Sequence, residues 1–257
     1  MNSRIDVCLI CNAKYHDSDF VRLELLKLLH DVSDIRVRVF EDYSCIDAIK
    51  NCDALLTYTC DILPDAKGVD VLSEHLASGK RWFALHATNS IIEFLEDGRV
   101  DSPKDQSGFM ALMGSQFIAH PPIQTFKVEP TDQAHPLTEG IDAFSVSDEL
   151  YLSEVLGNIQ PLLVTHYSGK AQEGFVQEDW PSTEPRSVMY LYRPDKQSSA
   201  DKSKQGEVLY LTLGHARSTY DMQPLMDEYP EIERCAWETP QYYELLKRGI
   251  SWLIKVI

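Results

Sequence analysis

The chain reads as an α/β protein built on a mainly parallel sheet. Three observations predict this. Short apolar runs alternate with segments whose apolar residues recur at helical spacing. Gly79 closes one such helix immediately before a buried-type strand. Histidines stand where two of the expected strands end, at His86 and His215.

The first strand is expected over residues 5–11, with 12–17 as its exit loop. Phe20, Leu23, Leu26 and Leu29 then share one face of an amphipathic helix. Residues 35–40 form a second strand, alternating through Arg36 and Arg38, and residues 53–59 a third, mostly apolar one. A helix from Pro64 buries Val69, Leu72 and Leu76 and stops at Gly79, before a fourth strand over 81–86. Strands alternating with helices imply right-handed crossovers, hence the parallel sheet. Beyond Asn89 the pattern loosens. Residues 109–113 suit a short helix, 123–129 an exposed-edge strand, and 144–152, 161–166, 187–192 and 208–213 further strands. Residues 170–185 are polar and irregular around an isolated Trp180, and 195–206, rich in Lys and Ser, read as a mobile surface hairpin loop. The last helix takes Thr239 as cap and Pro240 as first residue. It buries Tyr242, Leu245, Leu246, Ile250, Leu253 and Val256, and carries a favourable Glu244–Arg248 pair. No repeat or linker divides the chain, so residues 1–257 are read as one domain.

A net charge of −16 argues against a nucleic-acid backbone or an anionic membrane surface as partner. No apolar run approaches the roughly 20 residues that span a bilayer, and residues 1–4 lead into a strand without a secretory leader, so a cytoplasmic protein is expected. The six cysteines form no disulfide framework, which suits a reducing compartment. Cys8 and Cys11, three apart on one strand, point to opposite faces and so share neither metal nor redox chemistry. Dinucleotide, P-loop and serine-elbow motifs are absent from the sequence, so no nucleotide cofactor is expected.

In an open parallel sheet, ligands collect outside the carboxyl ends of the strands. His16 lies in the loop after the first strand, Asp61 follows Thr59-Cys60 at the end of the third, His86 ends the fourth, and His215 follows residues 208–213. Parallel strands place all four exits on one edge of the sheet. His120 and Glu149 come from the less regular middle. A lone histidine is ordinarily a satisfied core or rim residue; the convergence of several strand ends is what favours function here. Asp61 equally suits the cap of the helix that follows, and Glu149 matters only if Leu150 and Tyr151 draw it into the cleft. Cys60 has no neighbour that marks it as a paired thiolate.

Gly79-Lys80 with Leu85-His86-Ala87, Phe117 with His120-Pro121, His135-Pro136 with Gly140, Asp148-Glu149-Leu150-Tyr151, and Leu213-Gly214-His215 form an ordered set. Together they resemble the ThuA-like (trehalose-utilisation) family, from the first strand to the last helix. The resemblance implies a three-layer α/β fold of the class I glutamine amidotransferase-like, flavodoxin-like type, with extra β-hairpin elements. It also implies a link to disaccharide or sugar metabolism. It does not imply amidotransferase activity, because His86 replaces the nucleophilic cysteine and His215-Ala216-Arg217 lacks the expected H-x-E. Met113-Gly114-Ser115 and Arg81-Trp82 depart from the family pattern and put the substrate in doubt more than the fold.

The leading expectation is an enzyme of hydrolase, lyase or isomerase type acting on a sugar or keto-sugar. His86, His120 and His215 are its expected ligands for Zn²⁺ or another divalent ion, with His86 and Glu149 carrying the chemistry. Substrate contacts are assigned to Tyr15, His16, Asp61 and Tyr151. The alternatives are metal-free acid–base chemistry by His86 and Glu149, and a non-catalytic sugar-binding or regulatory module. A carbohydrate is the expected ligand and a homo-oligomer the default assembly.

Overall fold

Every residue of the strand Ala54–Cys60 is buried, as a central parallel strand covered on both faces requires. The computed structural model describes residues 4–194 and 205–255. Its first half alternates as the sequence predicts: β1 (Ile5–Ala13), α1 (Ser18–His30), β2 (Ile35–Phe40), α2 (Ile46–Asn51), β3 (Ala54–Cys60), α3 (Ala66–Ala77) and β4 (Arg81–Leu85). A 3₁₀ turn at His86–Asn89 leads to the small ribbon of β5 (Glu93–Phe94) and β6 (Val100–Asp101), then to α4 (Phe109–Met113). The strands β7 (Ser115–Ala119), β8 (Gln124–Pro130), β9 (Phe144–Asp148), β10 (Leu152–Val155) and β11 (Gln160–Thr165) follow. Last come β12 (Gly169–Lys170), β13 (Asp179–Trp180), β14 (Arg186–Tyr192), β15 (Val208–Leu211) and α5 (Pro240–Leu253).

Nine strands share one sheet in the order β2-β1-β3-β4-β15-β14-β11-β8-β9. The first five run parallel, and the remaining neighbours pair antiparallel. The exits of β1, β3, β4 and β15 therefore share one edge. β7 and β10 pair as a separate antiparallel ribbon. Helices cover both faces. One core layer holds Val21, Leu25, Leu245 and Leu246 of α1 and α5; the other holds Ile49, Leu72 and Phe109 of α2, α3 and α4. Cys11 belongs to the first layer and Cys8 to the second, the opposite-face arrangement that strand periodicity demands.

The structure corrects several local expectations. The buried stripe of α1 is Val21, Leu25, Leu28 and Leu29, while Leu23 is 54% exposed. Asp17 and Asp65, not Asp61, cap helices, accepting from the amides of Phe20 at 3.0 Å and Gly68 at 2.7 Å. Thr239 holds the cap position of α5 without a side-chain cap bond, so Pro240 carries the start signal. β8 is the second strand from the sheet end and β9 is the edge. The expected strand over 144–152 breaks after Asp148 and resumes at Leu152. The proposed hairpin loop, apart from Gln205 and Gly206, and Val256 lie outside the described residues.

α5 lies flush on the sheet at Gly249, where an added Cβ would overlap the Phe83 ring. Gly249→Ala is expected to lower the unfolding free energy by about 1–3 kcal/mol, because an overpacked core must shift to admit the methyl. Urea denaturation with an unchanged slope would register this as a lower midpoint.

Candidate metal centre

β4 ends at His86, whose φ of 42° places a non-glycine residue in the left-handed region. Two contacts hold that turn. The Tyr210 hydroxyl donates to the His86 carbonyl, and His86 Nδ1–H donates to the Thr212 carbonyl at 2.8 Å. His16 follows Tyr15, itself at φ 67°, in the loop after β1. Its Nδ1–H donates to the Lys14 carbonyl at 2.6 Å. The loop is fixed from the other side by Asp17, whose amide bonds Ala216 O at 2.8 Å and whose carboxylate meets Arg234 at 2.9 Å. Gly214, at φ 122°, lets the chain turn tightly after β15; a side chain there would strike the Tyr242 hydroxyl.

Asp148 joins the two remaining segments. Its Oδ2 accepts from Gly214 N–H at 2.7 Å, and its Oδ1 accepts from His215 N–H at 3.1 Å and Glu149 N–H at 2.8 Å. One fully buried carboxyl thereby sets the backbone of both Glu149 and His215. Burial pushes that carboxyl up to about 6, against the opposing pull of the His86 and His215 rings and the amides.

The four side chains His16, His86, Glu149 and His215 are all buried, and one ligand-type atom from each lies within 4.8 Å of the others. Because a carbonyl only accepts, both His16 and His86 must carry their hydrogen on Nδ1. Their Nε2 atoms then face each other 3.0 Å apart. Two lone pairs at that distance repel unless a positive charge lies between them. His215 donates Nε2–H to Glu233 at 2.7 Å. Its buried Nδ1 has no hydrogen-bond partner and lies 3.2 Å from Glu149 Oε1, while Glu149 Oε2 is 3.6 Å from His86 Nε2. Ligand atoms around a tetrahedral Zn²⁺ sit about 3.3 Å apart. The donor set and its spacing fit such an ion.

The electrostatics agree for His16 and Glu149. Burial, together with the His86 and His215 rings, pushes the His16 imidazole well below its ordinary pKa, so its Nε2 keeps a free lone pair. Burial raises the Glu149 carboxyl, but His120 and His215 outweigh it and hold the group well below the usual carboxylate range. Burial lowers the His215 ring, yet Glu149 and Glu233 together bring it up to about 10, so a cation there has to displace the Nδ1 hydrogen that faces Glu149. Each histidine is braced at its outer nitrogen by a carbonyl or carboxylate, the arrangement that fixes tautomer and orientation in metal sites.

The structure brings together His86, His215 and Glu149, adds His16 to them and leaves His120 outside the group. His16, assigned to the rim as a substrate contact, is buried within the cluster. His120, assigned as a metal ligand, stands outside it; its Nε2 is 3.6 Å from Glu149 Oε1 and its Nδ1–H donates to Pro121 O at 2.8 Å. Tyr151 does reach the centre, donating its hydroxyl to His86 Nε2 at 3.2 Å. Tyr15 packs edge-on against Phe94 with centroids 5.6 Å apart. Asp61 pairs with Lys14 at 2.6 Å and accepts from Ile92 N–H at 3.2 Å, which makes it a brace of the two loops. Burial pushes the Cys60 thiol well up, in keeping with an inert cysteine. Sequence reasoning missed Glu233 and Arg217, which meet at 2.8 Å behind His215. Eighteen residues separate Glu233 from His215, and no local motif connects them.

The model of the trehalose-utilisation family, ThuA, matches residues 7–228. No curated protein matches the chain. A solved ThuA-like protein from Bacteroides uniformis superposes with a TM-score of 0.63 at 14% identity, covering 98% of this chain and 91% of that one. Another from Parabacteroides merdae gives 0.61 at 16% identity, covering 99% and 91%. The mmIFT52 N-terminal domain gives 0.54 at 11% identity over 98% and 97%. At these identities the likeness is one of fold.

Removing the Asp148 carboxyl strands three amides in a buried site. Asp148→Ala is expected to lower the unfolding free energy by about 3 kcal/mol, measured by urea denaturation. A loss below about 1 kcal/mol would mean that water takes over the role of this carboxyl.

Proposed function

Because the chain belongs to the ThuA, or trehalose-utilisation, family, we propose that it is an enzyme of sugar or disaccharide metabolism that works through a divalent metal ion. His16, His86, His215 and Glu149 hold the ion. The observation that carries this reading is the facing pair of Nε2 atoms on His16 and His86, 3.0 Å apart, with the unpartnered Nδ1 of His215 and the Glu149 carboxylate in the same buried cluster. Neutral imidazoles with one carboxylate suit Zn²⁺ or another first-row ion. When bound, such an ion polarises a carbonyl or hydroxyl oxygen of a sugar or keto-sugar.

The chain's own residues supply the rest. Glu149 stays ionised in its buried setting, which suits a ligand; held this far below neutrality it accepts a proton from substrate or water only weakly. His120 stands 3.6 Å from the same carboxylate and keeps a side-chain exposure of 15%, which makes it the route for that proton toward solvent. Burial holds the Tyr151 phenol well above its ordinary pKa, so it remains a hydrogen donor beside His86. Metal-free acid–base chemistry is the second reading. A single proton shared between the two Nε2 atoms would also relieve their repulsion.

Metal content separates the two. Protein purified without an affinity tag and equilibrated with Zn²⁺, Mn²⁺ or Co²⁺ is expected to retain roughly one ion per chain. His16→Ala and His86→Ala should each abolish retention. Negligible retention of every ion by the folded wild type would eliminate the metal reading and leave the shared proton. Glu233→Gln, which weakens the brace on His215, is expected to reduce affinity by about 10–100-fold, read by competition with a chromophoric chelator.

A further inference from the structure

Three of the chain's cysteines meet in the core layer beneath α2 and α3, apart from the four residues of the metal centre. Cys8 lies on β1, and Cys45 and Cys52 flank the two ends of α2. The Cys8 Sγ is in hydrogen-bonding contact with the thiols of both Cys45 and Cys52, so it stands between them. All three are free thiols.

Their access to solvent differs. Cys8 and Cys52 are fully buried. Cys45 is half-buried and lines an open cleft of about 410 Å³ with Phe40, Ser44, Ile46 and Lys67. A small solute in that cleft meets Cys45 and neither of the other two.

Their chemical settings differ as well. Cys45 Sγ–H donates to Asp42 O at 3.3 Å. Cys52 Sγ lies 3.2 Å from Ile49 O and 3.9 Å from Nδ1 of the buried His75, whose Nε2 is 3.2 Å from Arg81 O. The hydrogen bond from Cys8 holds both Cys45 and Cys52 below the ordinary thiol range against the effect of burial, and His75 adds to this at Cys52. The bonds to Cys45 and Cys52, together with burial, push the Cys8 thiol up. An imidazole-backed thiol is the more activated of the outer pair, but Cys52 is sealed in the core. Cys45 combines a lowered thiol with an approach from solvent, and Cys8 is the sulfur in contact behind it.

We propose that Cys45 is a modification site for a hydroperoxide and that Cys8 closes the modified residue into a reversible disulfide. The Cys45 sulfur attacks one oxygen of the hydroperoxide, and the O–O bond breaks. Cys45 becomes a sulfenic acid, and its former hydrogen leaves with the second oxygen as water or an alcohol. Cys8 Sγ then attacks the sulfenic sulfur. The S–O bond breaks, the S–S bond forms, and the hydroxide departs as water with the hydrogen of Cys8. The pair of thiols is oxidised and the peroxide is reduced. Exchange with a dithiol restores both thiols.

The test treats the full chain with a slight excess of hydrogen peroxide, blocks the remaining thiols and maps the peptides by mass spectrometry. Parallel samples carry dimedone to trap sulfenic acid. The folded wild type should yield a peptide pair linked through Cys8 and Cys45 that dithiothreitol separates again. Cys45→Ser should reduce bridging at Cys8 at least about tenfold, and Cys8→Ser should instead accumulate a dimedone adduct at Cys45. Melting temperatures show which variants are folded. Should Cys8→Ser fail to fold, the wild-type map decides alone. Absence of a Cys8–Cys45 bridge in the folded wild type, a bridge from Cys8 to Cys52 in its place, or undiminished bridging at Cys8 in folded Cys45→Ser would each overturn the proposal.

Discussion

Two imidazole Nε2 atoms held face to face, 3.0 Å apart, are the constraint on which the rest of the centre depends. Neither ring can rotate away. Lys14 O fixes His16, Thr212 O fixes His86, and both acceptors are backbone atoms of the sheet's exit loops. In a buried, low-dielectric setting the repulsion between such lone pairs is costly. Left-handed backbone at Tyr15 and His86 adds about 1–3 kcal/mol of strain for each residue. Surroundings that hold so unfavourable an arrangement in place are what a preorganised cation site requires.

The parallel half of the fold was legible because its signals are local. Gly79 takes the left-handed conformation expected of a helix stop, with φ 83°, and strands 35–40 and 208–213 fall within two residues of their expected ends. The antiparallel half was legible only in pieces. Residues 144–152 read as one strand because Phe144, Val146, Leu150 and Leu152 keep a two-residue alternation across Asp148. The break comes from Asp148 turning inward to three amides, a tertiary demand that no periodicity carries.

The centre itself followed the same division. His86, His215 and Glu149 stand at strand exits or beside an unusual acidic pair, so topology alone could gather them. His16 lies inside the cluster and His120 outside it for a reason of reach. His16 lies three residues beyond Ala13, in a tight loop that folds back over the sheet edge. His120 follows β7, which belongs to the separate ribbon and not to the central sheet. Sequence order gives no hint of which of those two exits approaches β4. Glu233 was invisible because its pairing with His215 and Arg217 is purely spatial.

The strand order places β15, from near residue 210, directly against β4, from near residue 83. Such long-range pairing is slow to form, because loop closure must precede any gain from contact. Half of the cluster, His16 and His86, belongs to the first half of the chain, whereas His215 and its brace Glu233 belong to the last fifth. During refolding the early half can assemble its own strands and still lack a complete donor set. The four side chains would then come together only on arrival of the final strand and α5, and their convergence would serve as a clock for completion of the native topology.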